Sequence, residues 1–217
     1  MRPSLVIFDC DGVLVDSEAI ANRTLARAAR AQGLAIDEGE SRRRFVGLSM
    51  KSVVALIEEA LGRALPPAWL ADLQAETYAE FRAGLGPVPG VRAAVEAIQA
   101  AGIETCVASS GTPDKMALTL GLTGLAPLFD GRVFSAVEVA RGKPAPDLFL
   151  HAAARMGHDP ALCAVVEDSV PGATAAVAAG MRALGFTREI DAALLVATGA
   201  ETFSHMADLP GLFGLEP

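Results

Sequence analysis

Leu5-Val6-Ile7-Phe8-Asp9-Cys10-Asp11-Gly12 is a short apolar, β-branched run that ends abruptly in two carboxylates. An apolar run this short, closed by polar residues, reads as a strand buried on both faces. Two further runs share the design. Ile103 to Val107 leads into Ala108-Ser109-Ser110-Gly111, and Leu162 to Val166 leads into Glu167-Asp168-Ser169. Arg132-Val133-Phe134 and Met181 to Phe186 are weaker strand candidates. Helical patterns fill the intervals, so the chain reads as an α/β protein with a parallel sheet.

The first strand is followed by residues 17–85, which carry no convincing strand. Helical patterns run over Ala19 to Gln32, Lys51 to Leu61 and Pro67 to Arg82. Gly86-Pro87-Val88-Pro89-Gly90 then breaks the pattern before the next strand. The expected organisation is a core of residues 1–16 and 86–217 with a helical insert of residues 17–85. The simpler alternative is that these helices are one packing layer of a single domain.

Composition narrows the function classes. A hydrophobic fraction of 52% excludes a disordered chain. Eighteen Lys plus Arg against 26 Asp plus Glu leave a net charge of −8, which argues against a nucleic-acid partner. Cys10, Cys106 and Cys163 lie far apart in apolar stretches, the usage of buried reduced thiols. The N-terminus turns charged too soon for a signal peptide, and no apolar run is long enough for a membrane span. A cytoplasmic protein with no membrane partner is expected, and the lack of an obvious apolar stripe favours a monomer.

In an open parallel sheet, ligands bind beyond the carboxyl ends of the strands. The polar residues that follow the runs would therefore meet at one edge. If the chain stays extended through Asp9-Cys10-Asp11, both carboxylates face the same side; a simple turn at Asp11-Gly12 capped by Asp9 is the alternative. With Glu167 and Asp168 arriving from another strand, four carboxylates would repel unless a cation were present. Mg²⁺, a hard ion that prefers oxygen donors, meets that requirement, with Asp9, Asp11, Glu167 and Asp168 as the candidate metal residues. Ser109 and Ser110 precede Thr112-Pro113, a good helix start, where amides and hydroxyls could hold an anion; N-capping by Thr112 is the other reading. Lys143, tethered between Gly142 and Pro144 and one of three lysines, is suited to a phosphate oxygen. His151, His158 and His205 show no ligand spacing. Together these groups describe phosphoryl transfer. Asp9 would attack phosphorus, and Asp11 would protonate the leaving alkoxide and later deprotonate water.

Asp9-Cys10-Asp11-Gly12-Val13-Leu14-Val15-Asp16-Ser17, Ser109, Lys143-Pro144-Ala145-Pro146-Asp147 and Val166-Glu167-Asp168-Ser169 resemble, in order, the four motifs of the haloacid dehalogenase superfamily. The β-phosphoglucomutase-like phosphatases are the group they resemble most. The resemblance spans nearly the whole chain and implies a Rossmann-like core with an α-helical cap inserted after the first strand. It implies Asp9 as nucleophile and metal ligand, and Asp11 as acid/base with a backbone oxygen on Mg²⁺. Ser109 and Lys143 would hold phosphate, and Asp168, with Glu167, the metal.

Asp11 speaks against the dehalogenase and phosphonate-cleaving activities, whose enzymes lack an aspartate there. Sugar phosphomutases of the group usually carry a histidine after the Asp-Ser step and an arginine in the cap loop. Here Ser17 to Asn22 has no histidine, and Met50 stands at the loop position. The expectation is a phosphatase acting on a small, sugar-like metabolite phosphate, with a sugar phosphomutase as the alternative, its second-phosphate grip supplied by Arg44 or Lys51. Phe45, Gly47, Ser49 and Lys51, between two cap helices, are the expected specificity residues.

Overall fold

The computed structural model describes residues 2–45 and 48–215. Its strands are β1 (Leu5–Phe8), β2 (Glu104–Ser109), β3 (Val133–Ser135), β4 (Cys163–Glu167), β5 (Arg182–Phe186) and β6 (Glu201–Phe203). They form one sheet in the order β3-β2-β1-β4-β5-β6, every neighbouring pair parallel. β1 is central and its four residues are fully buried. The strand order reverses at β1, with β2 on one side and β4 on the other. That reversal opens a crevice at the carboxyl ends of the strands.

Register decides which residues meet at that crevice. Phe8 lies opposite Val107 of β2 and Val166 of β4. The Asp9 amide donates to the Val166 carbonyl at 3.0 Å, carrying the pairing one residue past β1. Asp9 and Glu167 therefore leave the sheet at the same level.

Helices α1 (Glu18–Ala31), α2 (Glu38–Phe45), α3 (Met50–Leu61) and α4 (Trp69–Gly84) precede β2, as does α5 (Val91–Ala100). Helix α6 (Pro113–Leu122) joins β2 to β3, and α7 (Asp147–Met156) leads to β4. Helices α8 (Val170–Ala178) and α9 (Ala192–Val196) follow β4 and β5, and α10 (Leu209–Leu212) closes the chain. Leu5, Ile7, Cys106 and Val165 pack against Leu148, Phe149 and Ala152 of α7 and Ala173 and Ala176 of α8. Alanine fits where a helix lies close on a sheet, which explains its abundance in α7 and α8. Alternate residues of β1 face the other way, and Phe8 meets Phe129 edge-on at 6.1 Å.

The chain divides into two compact units, Met1–Asp16 with Gly86–Pro217, and Ser17–Leu85. Within the second, Leu25, Ala29, Ile36, Phe45, Val53, Ile57, Trp69 and Leu73 form a core of their own. Thr24 on α1 and Thr77 on α4 share a hydrogen bond at 2.9 Å, and Arg27 pairs with Glu76 and Glu80. Within the first unit, the two chain crossings are paired. Asp16 donates to the Gly86 carbonyl at 3.0 Å, Val88 to that of Leu14 at 3.0 Å, and Val15 bridges Pro87.

Helix α2 was not expected from the sequence. Glu38-Gly39-Glu40-Ser41-Arg42-Arg43-Arg44-Phe45 has little apolar period, and it forms through charge placement and capping. Asp37 accepts the Glu40 amide at 2.7 Å, acids occupy the first turn and arginines the last. The edge strand β6, only three residues with a polar start, was likewise not expected.

Cys10, Cys106 and Cys163 are free and buried. Burial pushes all three thiols up, Cys163 to about 11 and the other two further. Since the thiolate is the reactive form, a disulfide reagent at pH 8 should leave native protein unlabelled and titrate all three cysteines in denaturant. Rapid labelling of any one in the native state would contradict this packing.

Candidate active site

The crevice is built around one ammonium. The Lys143 Nζ donates to Asp9 Oδ1 at 2.5 Å and to Glu167 Oε1 at 2.5 Å, and lies 3.3 Å from the Ala108 carbonyl. Three strand ends, those of β1, β2 and β4, thus converge on a single cation. The Lys143 side chain is 6% exposed, that of Glu167 1%, so these are dehydrated charges whose attraction is little screened. Burial acts to lower the Lys143 ammonium, but Asp9 and Glu167 outweigh it and hold it above its usual range. Burial raises the Asp9 carboxyl, with Glu167 adding and Lys143 opposing. Lys143 enters from a loop stiffened by Pro144 and Pro146, with a cis bond between Lys143 and Pro144. Its ammonium lies 5.0 Å from the Phe149 ring centre.

Glu167, expected among the metal residues, has both oxygens in hydrogen bonds. Its Oε2 accepts from the Asp168 amide at 3.0 Å, the Ser169 amide at 3.0 Å and the Ser169 hydroxyl at 2.8 Å. Both oxygens are committed, one to Lys143 and one to the start of α8. Gly172 makes this possible, because a Cβ there would lie 1.8 Å from Glu167 Oε1. Glu167 locks the lysine to the helix start.

Asp9 and Asp11 do not sit on one extended strand, as the alternation had suggested. β1 ends at Phe8, and residues 10–15 form a tight turn. Leu14 and Val15 both donate to the Cys10 carbonyl, Gly12 donates to Val15 at 2.9 Å, and Gly12 adopts a φ of +76°. The chain does turn at Asp11-Gly12, but Asp9 pairs with Lys143 instead of merely capping that turn, and Asp11 remains at the site. Its Oδ2 accepts from Lys115 Nζ at 2.7 Å. Lys115 is the group that sequence reasoning passed over. The available signal was its place in the first turn of α6, directly after the Ser109 loop.

Ser109 is buried at the end of β2 and accepts the Gly111 amide at 3.1 Å, while Ser110 is exposed. Thr112 caps α6 through the Lys115 amide at 3.3 Å, with Pro113 at the first helical position. Asp168 lies against the Asp9–Gly12 turn: a Cβ on Gly12 would stand 1.9 Å from Asp168 Oδ2. Gly12 is thus required twice, for its left-handed backbone and for the carboxylate beside it.

Asp9, the Asp11 backbone and Asp168 are hard oxygen donors of the kind Mg²⁺ takes, and Gly12 is the cradle that lets Asp168 approach them. The donor chemistry of these three suits the ion, while both Glu167 oxygens are engaged by Lys143 and the start of α8. Among the described residues no group of three or more His, Cys, Asp or Glu already stands in metal-holding array, since Lys143 lies between Asp9 and Glu167.

In the inserted unit, Phe45 is buried in the local core, under the Arg44 guanidinium at 5.4 Å, so its expected role facing a ligand is not what its packing serves. Ser49 caps α3 by accepting the Ser52 amide at 3.1 Å, and Lys51 is exposed. Gly47 lies outside the described residues.

A family model for haloacid dehalogenase-like hydrolases matches residues 3–180. The chain belongs to the haloacid dehalogenase-like hydrolase family. It is 32% identical over 213 residues to the 6-phosphogluconate phosphatase of Escherichia coli K12, covering 98% of this chain and 95% of that protein. A haloacid dehalogenase-like protein of Agrobacterium tumefaciens superposes with a TM-score of 0.86 at 35% identity, over 97% of each chain. A family hydrolase of Deinococcus radiodurans, solved with bound phosphate and sodium, gives 0.85 at 31% identity, over 99% of this chain and 97% of that one. The haloacid dehalogenase-like fold and the hydrolase class follow.

Breaking the Lys143 cluster should be costly. Glu167→Ala leaves three donors at the start of α8 without their acceptor and the buried ammonium with only Asp9 and the Ala108 carbonyl, and should lower stability by about 3 kcal/mol or more in urea unfolding. A loss within the range of ordinary surface substitutions would show that the bonds to Glu167 carry no such weight.

Proposed function

We propose that the chain is a Mg²⁺-dependent phosphatase that hydrolyses a small phosphomonoester, of a sugar or related metabolite, through an aspartyl-phosphate on Asp9. The observation that carries the reading is the Asp9–Lys143–Glu167 cluster, with the Ser109 loop and Asp11 around it. Likeness to the E. coli 6-phosphogluconate phosphatase supports the substrate class.

An Asp9 carboxylate oxygen attacks phosphorus in line with the departing ester oxygen. The bond from Asp9 to phosphorus forms as the ester bond breaks, and the electron pair leaves with the alkoxide. Asp11 gives that alkoxide its proton. In the second half, Asp11 takes a proton from water as the water oxygen attacks phosphorus, releasing inorganic phosphate and restoring Asp9. Lys143 orients Asp9 and offsets charge on the phosphoryl oxygens, while Ser109 and the amides of its loop hold another oxygen, with exposed Ser110 at the rim. Asp9, the Asp11 backbone oxygen and Asp168 would hold Mg²⁺, which supplies further positive charge against the phosphoryl group when bound.

Ser49 and Lys51 of the inserted unit are assigned to substrate choice. Exposed Lys51, following a capped helix start, is suited to an anionic or hydroxylated substrate tail. Lys51→Ala should change the ratio of kcat/KM among phosphorylated sugars. An unchanged ratio across the panel would remove Lys51 from that role.

A phosphate-release screen over phosphorylated metabolites, with Mg²⁺ and with a chelator, tests the main reading. Activity should require the metal, and Asp9→Asn should reduce turnover at least about a thousandfold while the fold is retained. Full activity in that variant would overturn the assignment. Interconversion of hexose 1- and 6-phosphates in place of phosphate release would establish the mutase alternative.

A further inference from the structure

We propose that Lys115 is a positioning residue for Asp11, and that it is needed most when the leaving group must be protonated. The inference deepens the phosphatase reading and rests on it.

Lys115 and Asp11 are 104 residues apart in sequence and meet at 2.7 Å between Nζ and Oδ2. Both ends of the contact are held. The Lys115 amide is tied to the Thr112 hydroxyl in the first turn of α6, and Asp11 lies in the tight turn closed by Gly12 and Val15. The lysine stem passes over Gly111, where a Cβ would already touch its Cδ at 3.6 Å. Of the three lysines in the chain, two end on aspartates of this one turn, each on a different one. Lys143 is placed to act on Asp9 and phosphate. Lys115 donates to the carboxylate that handles the proton.

With Oδ2 held by Lys115, the transferable proton of Asp11 resides on Oδ1. In the first half-reaction the bond between phosphorus and the ester oxygen breaks, its electron pair stays on that oxygen, and the Oδ1 proton passes to it. Without Lys115 the Asp11 carboxyl loses its tie to the first turn of α6, and Oδ1 is less often aimed at that oxygen. An alkoxide leaving group needs the proton. p-Nitrophenolate is a stable anion at neutral pH and departs without it. A lysine that merely gripped the phosphoryl group would act on both esters alike, since the group transferred is the same.

The test compares kcat/KM, which reports events through release of the alcohol, for Lys115→Met and wild type on two probes. One is p-nitrophenyl phosphate; the other is the alkyl phosphate that the wild type turns over fastest in the metabolite screen. The variant should lose about thirtyfold or more on the alkyl ester and several-fold at most on the aryl ester. Lys115→Arg, which keeps a cation with donors, should recover most of the alkyl activity. Aryl turnover and thermal melting of each variant report folding, and if the Met variant fails to fold the Arg variant and Lys115→Gln carry the same comparison. Equal losses on both probes, or no loss on either, would overturn the positioning role. A wild type that releases phosphate from neither ester would overturn the phosphatase reading itself, a distinct outcome.

Discussion

A buried ammonium shared by two carboxylates is the constraint on which the rest of this site depends. Asp9 and Glu167 project from adjacent strands at the same level, and without Lys143 they would be two dehydrated like charges in near contact. Taking such charges out of water costs several kcal/mol per ion unless each is paired and hydrogen-bonded. The chain meets that condition fully for Glu167, which receives Lys143 on one oxygen and the start of α8 on the other. Asp9 receives Lys143 on Oδ1.

The sheet supplies this arrangement through register. Apolar residues on both faces of β1, β2 and β4 fix the strands in a core too dense to slip, so the first polar residue past each strand end is delivered to a set place. Two glycines then permit what side chains would forbid. Gly12 admits the Asp168 carboxylate beside the β1 turn, and Gly172 admits Glu167 over the first turn of α8. The site is an outcome of packing on one level and of missing Cβ atoms on the next.

Much of this was legible in the sequence. Buried strands announce themselves by unbroken apolar runs, and the polar residues that terminate Leu5–Phe8 and the β4 run were identifiable because a parallel sheet has one ligand-binding edge. Lys143 stood out because it is tethered between Gly142 and Pro144. Three features were not legible, each for a physical reason. Charge and capping, with no apolar period, make α2, so its eight residues carry no periodic signal. The role of Glu167 depends on which oxygen meets which donor, a matter of angstroms that adjacency to Asp168 conceals. Lys115 reaches Asp11 only because β2 lies next to β1, a neighbour relation that sequence spacing cannot express. Phe45 misled in the opposite sense, since an aromatic residue beside a loop serves a small unit's core as readily as a ligand.

The central claim is that the Asp9 carboxylate, presented by this cluster, is the group that takes the phosphoryl moiety. Acid quenching during turnover of p-nitrophenyl phosphate, whose leaving group needs no proton, followed by mass-spectrometric mapping of the peptides, is the sharpest test, with Asp11→Asn alongside to slow the attack of water. A phosphate adduct should map to Asp9, more abundant in the Asp11 variant than in the wild type. Phosphate mapped to a different residue, or substrate consumed by both enzymes with no adduct at any quench time, would contradict it.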